Sequence, residues 1–286
     1  MVTQGGISFG YQAHWEKLPA RDLNSTQRRQ CLGMNSALSS PPWPYPFWIA
    51  HRGAGTLAPE NTLAAFEHGA RLGFAMFECD VQLSADGVPF LLHDLHLSRT
   101  TNGQGQAADQ TWGYLQGLDA GSWHSGAHTG LGLLRLDQLA HWGVPRGLAF
   151  NLEIKPAPGR EPVCGAAVAR AARDLWSGGT YPPLLSSFSA EALQAAQAAA
   201  PDLPRAWLLD ATSPLDWQCA HDLGCLAVVL HHSLCSESVI AQAHHQGLRA
   251  LAYTVNDAAR AEQLQQWGID GIITDAVQVF SPAKTA

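Results

Sequence analysis

Short apolar segments alternate with helical patterns along most of this chain, and that order restricts its fold more than any other feature. Strands are predicted at 47–51, 75–81, 88–92, 148–153, 183–188, 204–209, 225–230, 248–254 and 270–274. Helical periodicity fits most of the gaps between them, at 61–72, 135–142, 161–176, 189–199, 214–222, 236–246 and 257–267. Repeated β–α units of this kind predict a mainly parallel sheet with helices packed outside it.

The number of these units favours a closed sheet. About seven or eight units in roughly 240 residues are typical of a (β/α)8 barrel rather than an open, doubly wound sheet. No Gly-x-Gly-x-x-Gly motif follows the first strand, which weakens a dinucleotide-binding interpretation. The predicted fold class is therefore α/β, an eight-stranded TIM barrel.

One connection is too short for a parallel crossover. Ser84-Ala85-Asp86-Gly87 joins the predicted strands 75–81 and 88–92, and Asp-Gly is a strong turn signal. The second strand should therefore run antiparallel to the first. This hairpin would bring His93 back to the level of the carboxylates on the preceding strand.

Two segments fall outside the regular pattern. Residues 1–42 carry no sustained apolar period and end in a Pro-rich run, so they are predicted to be a poorly ordered extension, with Met34 as an alternative start. Residues 43–286 form the predicted barrel domain. Within it, residues 95–134 are the longest stretch without clear strands, and they are predicted to cap the site because they follow His93 directly.

Composition excludes several classes of partner. The chain has 286 residues and a formal charge of −7, with no Lys/Arg stripe suited to nucleic acid. No apolar run approaches the roughly 20 residues of a membrane span, and the N-terminal region lacks a secretory signal. The six cysteines show no Cys-x-x-Cys spacing and are expected to be free thiols. We therefore expect a cytoplasmic protein with no nucleic-acid partner and no stable membrane insertion.

Paired carboxylates are the first candidate site residues. Glu78 and Asp80 stand two positions apart in a strand, so both project from one face, roughly 7 Å apart at Cα. Like charges this close favour a hard divalent cation between them, and Mg²⁺ or Ca²⁺ prefers carboxylate oxygen. Farther along, Glu153 and Lys155 repeat the spacing as carboxylate and ammonium. Lys155 is the one lysine outside the two probable tails, the others being Lys17 and Lys284.

Candidate acid–base groups also fall at strand ends. His51 and Arg52 end the first predicted strand, and His93 follows the hairpin. In a barrel the carboxyl ends of the strands face the active site, so these residues should meet Glu78 and Glu153 there. A neutral imidazole can exchange a proton near pH 7. The guanidinium of Arg52 suits phosphate oxygens.

Further residues are predicted to support or line the site. Glu60 is placed either as a partner of Arg52 or as a favourable charge at a helix start. Asn61 is either a helix N-cap or a substrate contact. Asp94 is predicted to act on its neighbour His93. Phe188 and Tyr253 lie at later strand ends, where each either contacts substrate or belongs to the barrel core.

Taken together, these motifs resemble one known family. Ile49-Ala50-His51-Arg52-Gly53, Pro59-Glu60-Asn61-Thr62, Glu78-x-Asp80, His93-Asp94 and Glu153-Ile154-Lys155 occur in the order and spacing of the glycerophosphodiester phosphodiesterases. The resemblance runs from about Trp43 to Asp275. The Trp43-Pro44-Tyr45-Pro46 and Asp119-Ala120-Gly121-Ser122-Trp123 segments are most similar to its cytosolic bacterial branch.

The resemblance implies both a chemistry and a set of roles. It implies a phospholipase-C-like TIM barrel that hydrolyses glycerophosphodiesters, such as glycerophosphocholine and glycerophosphoethanolamine, to sn-glycerol 3-phosphate and an alcohol. Carried over by motif, it places Glu78, Asp80 and Glu153 on a divalent metal, which is Mg²⁺ or Ca²⁺ with Mn²⁺ also compatible. It gives His51 and His93 acid–base roles. Arg52 and Lys155 would lie near the phosphate.

Departures from the family pattern lie outside the proposed site. Ala276 stands where the family often has Pro, and Arg135-Leu136-Asp137 replaces a common Thr-Leu-Glu. Two alternatives stay open at this point. One is a related barrel phosphodiesterase acting on inositol lipids or sphingolipids, and the other is a non-catalytic phosphodiester-binding barrel.

Overall fold

The computed structural model describes residues 43–282, so the predictions for residues 1–42 and Met34 lie outside the described part of the chain. Nine strands form one sheet in the described range: β1 Trp48–Ala50, β2 Met76–Leu83, β3 Pro89–Leu91, β4 Ala149–Ile154, β5 Leu184–Ser187, β6 Arg205–Leu209, β7 Ala227–His231, β8 Arg249–Tyr253 and β9 Gly271–Thr274. Each observed strand overlaps a predicted one.

Pairing closes this sheet into a barrel. The strand order is β1-β9-β8-β7-β6-β5-β4-β2-β3, and β1 also pairs with β2. All neighbours are parallel except β2 and β3. Removing β3 leaves a closed ring of parallel strands, so the predicted TIM barrel is confirmed.

Helices lie between the parallel strands as the periodicity predicts. The α-helices of the described residues are α1 Leu63–Arg71, α2 Trp112–Leu115, α3 Leu136–Gly143, α4 Glu161–Leu175, α5 Ala190–Ala199, α6 Trp217–Asp222, α7 Glu237–His245 and α8 Ala258–Gln266. Only α2 has no predicted counterpart. Short 3₁₀ turns occur at Leu97–Arg99, Ala107–Asp109, Gly126–His128, Val144–Arg146 and His232–Leu234. None of the described helices has the length and apolarity needed to cross a membrane.

One apolar layer fills the inside of the barrel. Every parallel strand contributes to it: Ile49, Met76, Ala149, Leu184, Ala206, Leu208, Ala227, Val229, Leu251 and Ile273. Tyr45 joins the same layer, stacks edge-on with Trp43 at 4.8 Å between ring centroids and donates a 2.9 Å hydrogen bond to Pro182 O. Because side chains alternate along a strand, this layer identifies the residues that point inward.

The β2–β3 hairpin and the segment after it form an addition to the barrel. Val81 pairs with Leu91, and Leu92 N donates to Asp80 O at 3.1 Å. The antiparallel hairpin predicted from Asp86-Gly87 is therefore confirmed. Residues 95–134 pack around a small core of their own with β3, made of Phe90, Leu92, Leu97, Ala107, Leu115, Leu118, Ala120 and Leu133.

The cysteines of residues 43–282 have free thiols. Cys79, Cys164, Cys225 and Cys235 are buried, and Cys219 is partly exposed. Burial raises the pKa of the Cys79 thiol well above its ordinary value, so this group stays protonated near neutral pH.

Candidate active site

Strand alternation explains why the candidate side chains converge. Ile49 points into the barrel, so His51, two positions later, points the same way at the carboxyl end of β1. By the same two-residue alternation, Glu78 and Asp80 point inward as Met76 does on β2. The alternation also turns inward Asn151 and Glu153 after Ala149, Tyr253 after Leu251, and Asp275 after Ile273. The mouth of the barrel therefore gathers the acidic and imidazole groups.

Three carboxylates form a cluster at this mouth. One oxygen each from Glu78, Asp80 and Glu153 can be chosen so that all lie within 4.8 Å of one another. Asp80 and Glu153 are register neighbours on β2 and β4. Glu78 is 3% exposed and Asp80 1% exposed, so little water reaches their charges. Oxygen ligands at this spacing match the donor set of a hard divalent cation.

An unpartnered buried atom indicates that the cluster is built for such an ion. Oε1 of Glu78 is buried and has no hydrogen-bond partner among residues 43–282. A buried carboxylate oxygen without a partner is costly unless a cation or a proton compensates it. The residues present therefore fit a divalent metal.

The pKa values of the three carboxylates in the cluster shift in different directions. Burial, reinforced by the charge of Asp80, raises the pKa of Glu78 to about 8. Burial and Asp80 also raise the pKa of Glu153. Burial acts in the same direction on Asp80, but the charges of Arg52 and Lys155 outweigh it and lower its pKa. Without a cation the cluster therefore holds Asp80 ionised and favours a proton on Glu78.

Arg52 adopts a strained backbone to face the cluster. Its φ is +50°, in the left-handed region that a residue with a Cβ rarely adopts. This conformation lets Arg52 N donate to Glu78 Oε2 at 3.2 Å. Its side chain lies 3.3 Å from Asp80 through Nε and donates to Glu60 Oε1 at 3.0 Å. Gly55 continues the turn at φ +54°, where a Cβ would lie 2.1 Å from Asp275 O.

The structure decides against one of the two roles considered for Asn61, that of helix N-cap. The N-cap of α1 is Thr62, whose side chain accepts from Ala65 N at 3.3 Å, so the N-cap interpretation of Asn61 is wrong. Asn61 instead has φ +59° and is buried. Its side chain donates to Asp80 Oδ2 at 2.8 Å and accepts from Asp80 N at 3.2 Å. Because an Asn tolerates the left-handed region, it can orient Asp80 from this position.

Each candidate histidine is paired with an aspartate through Nδ1. His51 Nδ1 lies 2.6 Å from Asp275 Oδ1, and His93 Nδ1 lies 2.6 Å from Asp94 Oδ1. An Asp at Nδ1 favours a proton there and leaves Nε2 as the exchanging nitrogen. His51 Nε2 is 3.7 Å from Glu78 Oε2, so this imidazole adjoins the acidic cluster.

The two histidines differ in their proton affinity. Burial disfavours the charge of His51, but the hydrogen bond to Asp275 and the charge of Glu78 outweigh it and raise its pKa. Burial lowers the pKa of His93 despite the opposing charge of Asp80. The site therefore has one imidazole that holds a proton more strongly than usual and one that holds it less strongly.

Lys155 lies on the other side of the carboxylates. Its Nζ is 2.9 Å from Glu153 Oε1 and 3.6 Å from Asp80 Oδ1. The Lys155 side chain is 18% exposed, so its ammonium group can still contact a ligand. The single lysine of the described chain thus lies beside the acidic cluster.

Sequence reasoning missed two supporting residues. Asp275 follows β9, where the rule of strand ends could have identified it as it did His51. Its carboxylate also accepts a 3.2 Å hydrogen bond from Asn256. Arg99 lies in the irregular segment and gave no such signal. It bonds Asp94 through Nε at 2.5 Å and Glu60 through NH2 at 2.7 Å.

Aromatic residues occupy the remaining part of the mouth. Phe188 is 42% exposed, which argues against the barrel-core interpretation of this side chain. Its ring lies edge-on to Tyr253 with centroids 6.0 Å apart. Tyr253 also contacts His231 and donates to Leu209 O at 3.2 Å. Trp123, by contrast, is exposed and donates a hydrogen bond within its own segment, to Ala120 O at 2.9 Å.

Comparisons with known proteins agree on one family. Residues 51–279 match the Glycerophosphoryl diester phosphodiesterase family. A glycerophosphodiester phosphodiesterase of Bacillus subtilis (strain 168) is 30% identical over 255 residues, covering 82% of this chain and 85% of that protein.

Solved structures give the same result. A phosphodiesterase of Oleispira antarctica in complex with the product sn-glycerol-3-phosphate is 34% identical with a TM-score of 0.79, covering 85% of this chain and 98% of that one. A glycerophosphodiester phosphodiesterase of Agrobacterium tumefaciens str. C58 is 29% identical with a TM-score of 0.69, covering 82% and 98% of the two chains.

The barrel, the site at its mouth and these relatives define an enzyme of the phosphoric diester hydrolase class. The chain belongs to the glycerophosphoryl diester phosphodiesterase family. Because its relatives are enzymes, the non-catalytic barrel considered above is not supported.

Proposed function

We propose that the chain hydrolyses glycerophosphodiesters, including those of choline and ethanolamine, to sn-glycerol 3-phosphate and an alcohol in a metal-dependent reaction. The observation that carries the proposal is the cluster of Glu78, Asp80 and Glu153 within 4.8 Å, flanked by two His–Asp pairs. The product bound in the Oleispira antarctica relative supports the same substrate class.

Glu78, Asp80 and Glu153 would hold one divalent cation, Mg²⁺ or Ca²⁺, with Mn²⁺ also compatible. When bound, such an ion polarises a phosphoryl oxygen and offsets its developing charge. Asn61 keeps Asp80 oriented toward the cluster through two hydrogen bonds. The backbone N–H of Arg52 does the same for Glu78.

His51 and His93 carry the proton transfers in this proposal. Asp275 and Asp94 fix Nδ1 of each ring, which leaves the two Nε2 atoms to act on substrate. One imidazole removes the proton of the attacking oxygen, and the other protonates the departing alkoxide.

Arg52 and Lys155 would bind the phosphate. Both cations are partly buried at 18% side-chain exposure, so their charges act with reduced screening by water. Arg52 Nε lies 3.3 Å from Asp80, and Lys155 Nζ lies 3.6 Å from it. Each side chain keeps further N–H groups that can donate to phosphoryl oxygens. Their role is to stabilise the negative charge that develops in the transition state.

The attacking oxygen is either water or the glycerol hydroxyl adjacent to the phosphate. Attack by the hydroxyl forms a cyclic phosphate that water then opens. Trapping a cyclic glycerophosphate in a rapidly quenched reaction would support the two-step route, whereas its absence at all times would favour direct attack by water.

The decisive assay is release of sn-glycerol 3-phosphate from purified protein. His51→Ala and His93→Ala should each lower kcat by about 10²–10⁴-fold while the fold stays intact. His141→Ala is the matched control, because this imidazole is exposed on α3 and bonds Asp137 O of its own helix. Near-native rates in both site variants would contradict the acid–base roles.

The same assay separates the remaining alternative. Water-soluble glycerophosphocholine should be hydrolysed, whereas intact inositol phospholipid or sphingomyelin should not. Preferential cleavage of the intact lipid would overturn the substrate class proposed here. Strong chelation should abolish activity, and restoring Mg²⁺, Ca²⁺ and Mn²⁺ in turn would identify the ion.

We also propose a capping role for residues 95–134 and a cytoplasmic location. Leu95 of this segment lines the cleft beside Glu153, and His124 Nε2 lies 3.1 Å from Thr56 O of the loop after β1. Free thiols at the described cysteines are compatible with a reducing compartment. Fractionation of cells of the native host would test the location.

A further inference from the structure

Two buried polar side chains adjoin the acidic cluster from inside the barrel. Asn151 stands two positions before Glu153 on β4 and is the register neighbour of Glu78 on β2. Ser186 is the register neighbour of Glu153 on β5. Leu184, two positions earlier on β5, points into the barrel, so Ser186 points inward as well.

The polar atoms of these two side chains are unpartnered. Asn151 and Ser186 are both 0% exposed. Among residues 43–282, no group bonds Nδ2 or Oδ1 of Asn151, or Oγ of Ser186. An amide and a hydroxyl that are cut off from bulk solvent without a hydrogen bond are costly to bury. Such groups in a native protein therefore call for a specific partner.

Small side chains border these atoms. Ser186 pairs in register with Ala206, and Ala206 pairs with Ala227. Both alanines belong to the apolar layer inside the barrel, as does Ala149, two positions before Asn151. Methyl groups at these three positions fill less of the interior than the larger apolar side chains of the same layer. The surroundings are thus polar and bordered by small groups, the conditions that a buried water molecule requires.

Water is the ligand whose chemistry matches this set of atoms. Oε1 of Glu78 also lacks a hydrogen-bond partner within the described range, and an ionised carboxylate only accepts. Asn151 supplies two N–H donors and one acceptor, and Ser186 supplies a hydroxyl donor. Because water both donates and accepts, it can receive a bond from Asn151 or Ser186 and donate one to Glu78. A carboxylate oxygen has two lone pairs, so Oε1 can accept this bond and still face a cation.

We propose that Asn151 and Ser186 are positioning residues that hold a buried water against the carboxylate of Glu78. The proposal rests on the metal site of the proposed function and adds to it a support from inside the barrel. Arg52 N already bonds Oε2 of Glu78 at 3.2 Å, so the water fixes the other oxygen. Hydrogen bonds to a metal-binding carboxylate orient it for the ion and raise the affinity of the site.

Metal affinity measured without substrate tests this role. Asn151→Leu keeps nearly the same volume and removes both polar atoms. The dissociation constant for Mg²⁺ or Ca²⁺, measured by calorimetry, should rise about tenfold or more, and Ser186→Ala should raise it by a smaller factor. The melting temperature of the metal-free Asn151→Leu protein should change little, because an apolar group of similar shape replaces a buried polar one. This combination distinguishes positioning of Glu78 from a general loss of structure.

Ser187→Ala is the matched control. Ser187 is also a buried serine and directly follows Ser186, but it points to the other face of β5, and its Oγ donates to Ile154 O at 2.7 Å. Its substitution should lower stability and leave metal affinity unchanged. A crystal structure of the metal-bound wild-type protein gives a second measurement. It should show a water within hydrogen-bond distance of both Asn151 and Ser186.

The outcomes separate this proposal from the proposed function. Unchanged metal affinity in Asn151→Leu and Ser186→Ala overturns the positioning role, and it leaves the proposed function standing if the wild-type protein still needs a metal to release sn-glycerol 3-phosphate. An equal loss of affinity in Ser187→Ala also overturns the positioning role, as does a crystal structure in which Asn151 and Ser186 bond no water. A wild-type protein that binds neither ion and releases no sn-glycerol 3-phosphate overturns both proposals. If Asn151→Leu does not fold, the affinity of Ser186→Ala decides.

Discussion

Asp275 Oδ1 lies 2.6 Å from His51 Nδ1, joining the loop after the last strand of the barrel to the loop after the first. Asn256 supports this contact: its side chain donates to Asp275 Oδ2 at 3.2 Å and accepts from Asp275 N at 2.8 Å. Burial would raise the pKa of Asp275, but the hydrogen bond with His51 outweighs it and lowers that pKa. The carboxylate is thus held ionised against the imidazole.

Asp275→Asn should therefore impair catalysis more than folding. An amide keeps the shape of the side chain but loses the charge that stabilises the imidazolium and can fix the wrong tautomer. We expect kcat for sn-glycerol 3-phosphate release to fall about 10²-fold or more, with a nearly unchanged melting temperature. Activity within twofold of the wild-type value would show that His51 does not depend on this carboxylate.

Arg99 connects the residue that supports His93 with the residue that supports Arg52. It bonds Asp94, which holds His93, and Glu60, which holds Arg52. The hydrogen bond from Arg99, followed by that with His93, lowers the pKa of Asp94 well below its ordinary value. Arg99→Ala should release both supports and lower kcat roughly 10- to 100-fold, because small misplacements of reacting groups are costly.

Chemical rescue tests whether Arg99→Ala loses activity because reacting groups are misplaced or because the protein is less well folded. Guanidinium at millimolar concentration should restore part of the activity of Arg99→Ala, whereas the same ionic strength of sodium chloride should not. Arg135→Ala is the matched control, because Arg135 pairs with Asp137 at similar exposure and, within residues 43–282, forms no ion pair with a site residue. An Arg99→Ala enzyme as active as Arg135→Ala would contradict the positioning role.

The pKa of Glu78 predicts how the metal-free protein responds to pH. In the unfolded chain Glu78 loses its proton near its ordinary pKa of 4.5, whereas in the folded, metal-free protein it keeps the proton up to about pH 8. Folding therefore takes up a proton in this window, and stability falls as pH rises through it. The slope approaches about 1.4 kcal/mol per pH unit for one fully coupled group.

Thermal or urea unfolding in the presence of a chelator measures this slope. Between pH 5 and pH 8, Glu78→Gln should show a flatter decline in the free energy of unfolding than the wild-type protein. Adding Mg²⁺ or Ca²⁺ at about 100 times its Kd should stabilise the wild-type protein by roughly 2.7 kcal/mol and the variant by less. Parallel pH curves for the two proteins, with equal metal responses, would rule out this account of Glu78.

The strand-alternation and strand-end rules predicted most of the site residues, and they failed at particular residues. His51, Glu78 and Glu153 could be predicted to meet, because the ends of parallel strands share one face of a barrel. The bond between Asp275 and His51 spans 224 positions, so it depends on barrel closure and no local pattern encodes it. Asn61 and Thr62 are both good N-caps, and the choice between them depends on the buried bond of Asn61 to Asp80.

The 95–134 segment shows a different limit of sequence reasoning. Its elements are short 3₁₀ turns and one four-residue helix, α2, which have too few residues to display a period. Arg99 acts from this segment through ion pairs with Asp94 and Glu60, residues that approach it only after the hairpin folds. Tertiary contacts, and not local propensity, decide its role.

Arg205 offers a test of stability that is separate from the site. It begins β6 at the amino end of the barrel and is 5% exposed. Its guanidinium donates to five backbone carbonyls, those of Ala200, Pro201, Leu203, Leu223 and Gly224. Burial lowers its pKa, yet the carbonyls compensate the charge well enough to keep it bound.

Arg205→Met should remove the guanidinium donors from those carbonyls while keeping much of the side-chain volume, and Ala200 O would keep its bond from Leu203 N at 3.2 Å. We expect the free energy of unfolding to fall by about 2–4 kcal/mol, measured by urea denaturation, because buried acceptors lose their partners. Arg173→Met is the control, since Arg173 is an exposed arginine that donates to one carbonyl, Ala199 O, and should cost less than about 0.5 kcal/mol. Activity per folded molecule should be the same in both variants, because the acidic cluster lies at the opposite end of the strands. A loss of activity in Arg205→Met that exceeds its unfolded fraction would show that the two ends of the barrel are coupled.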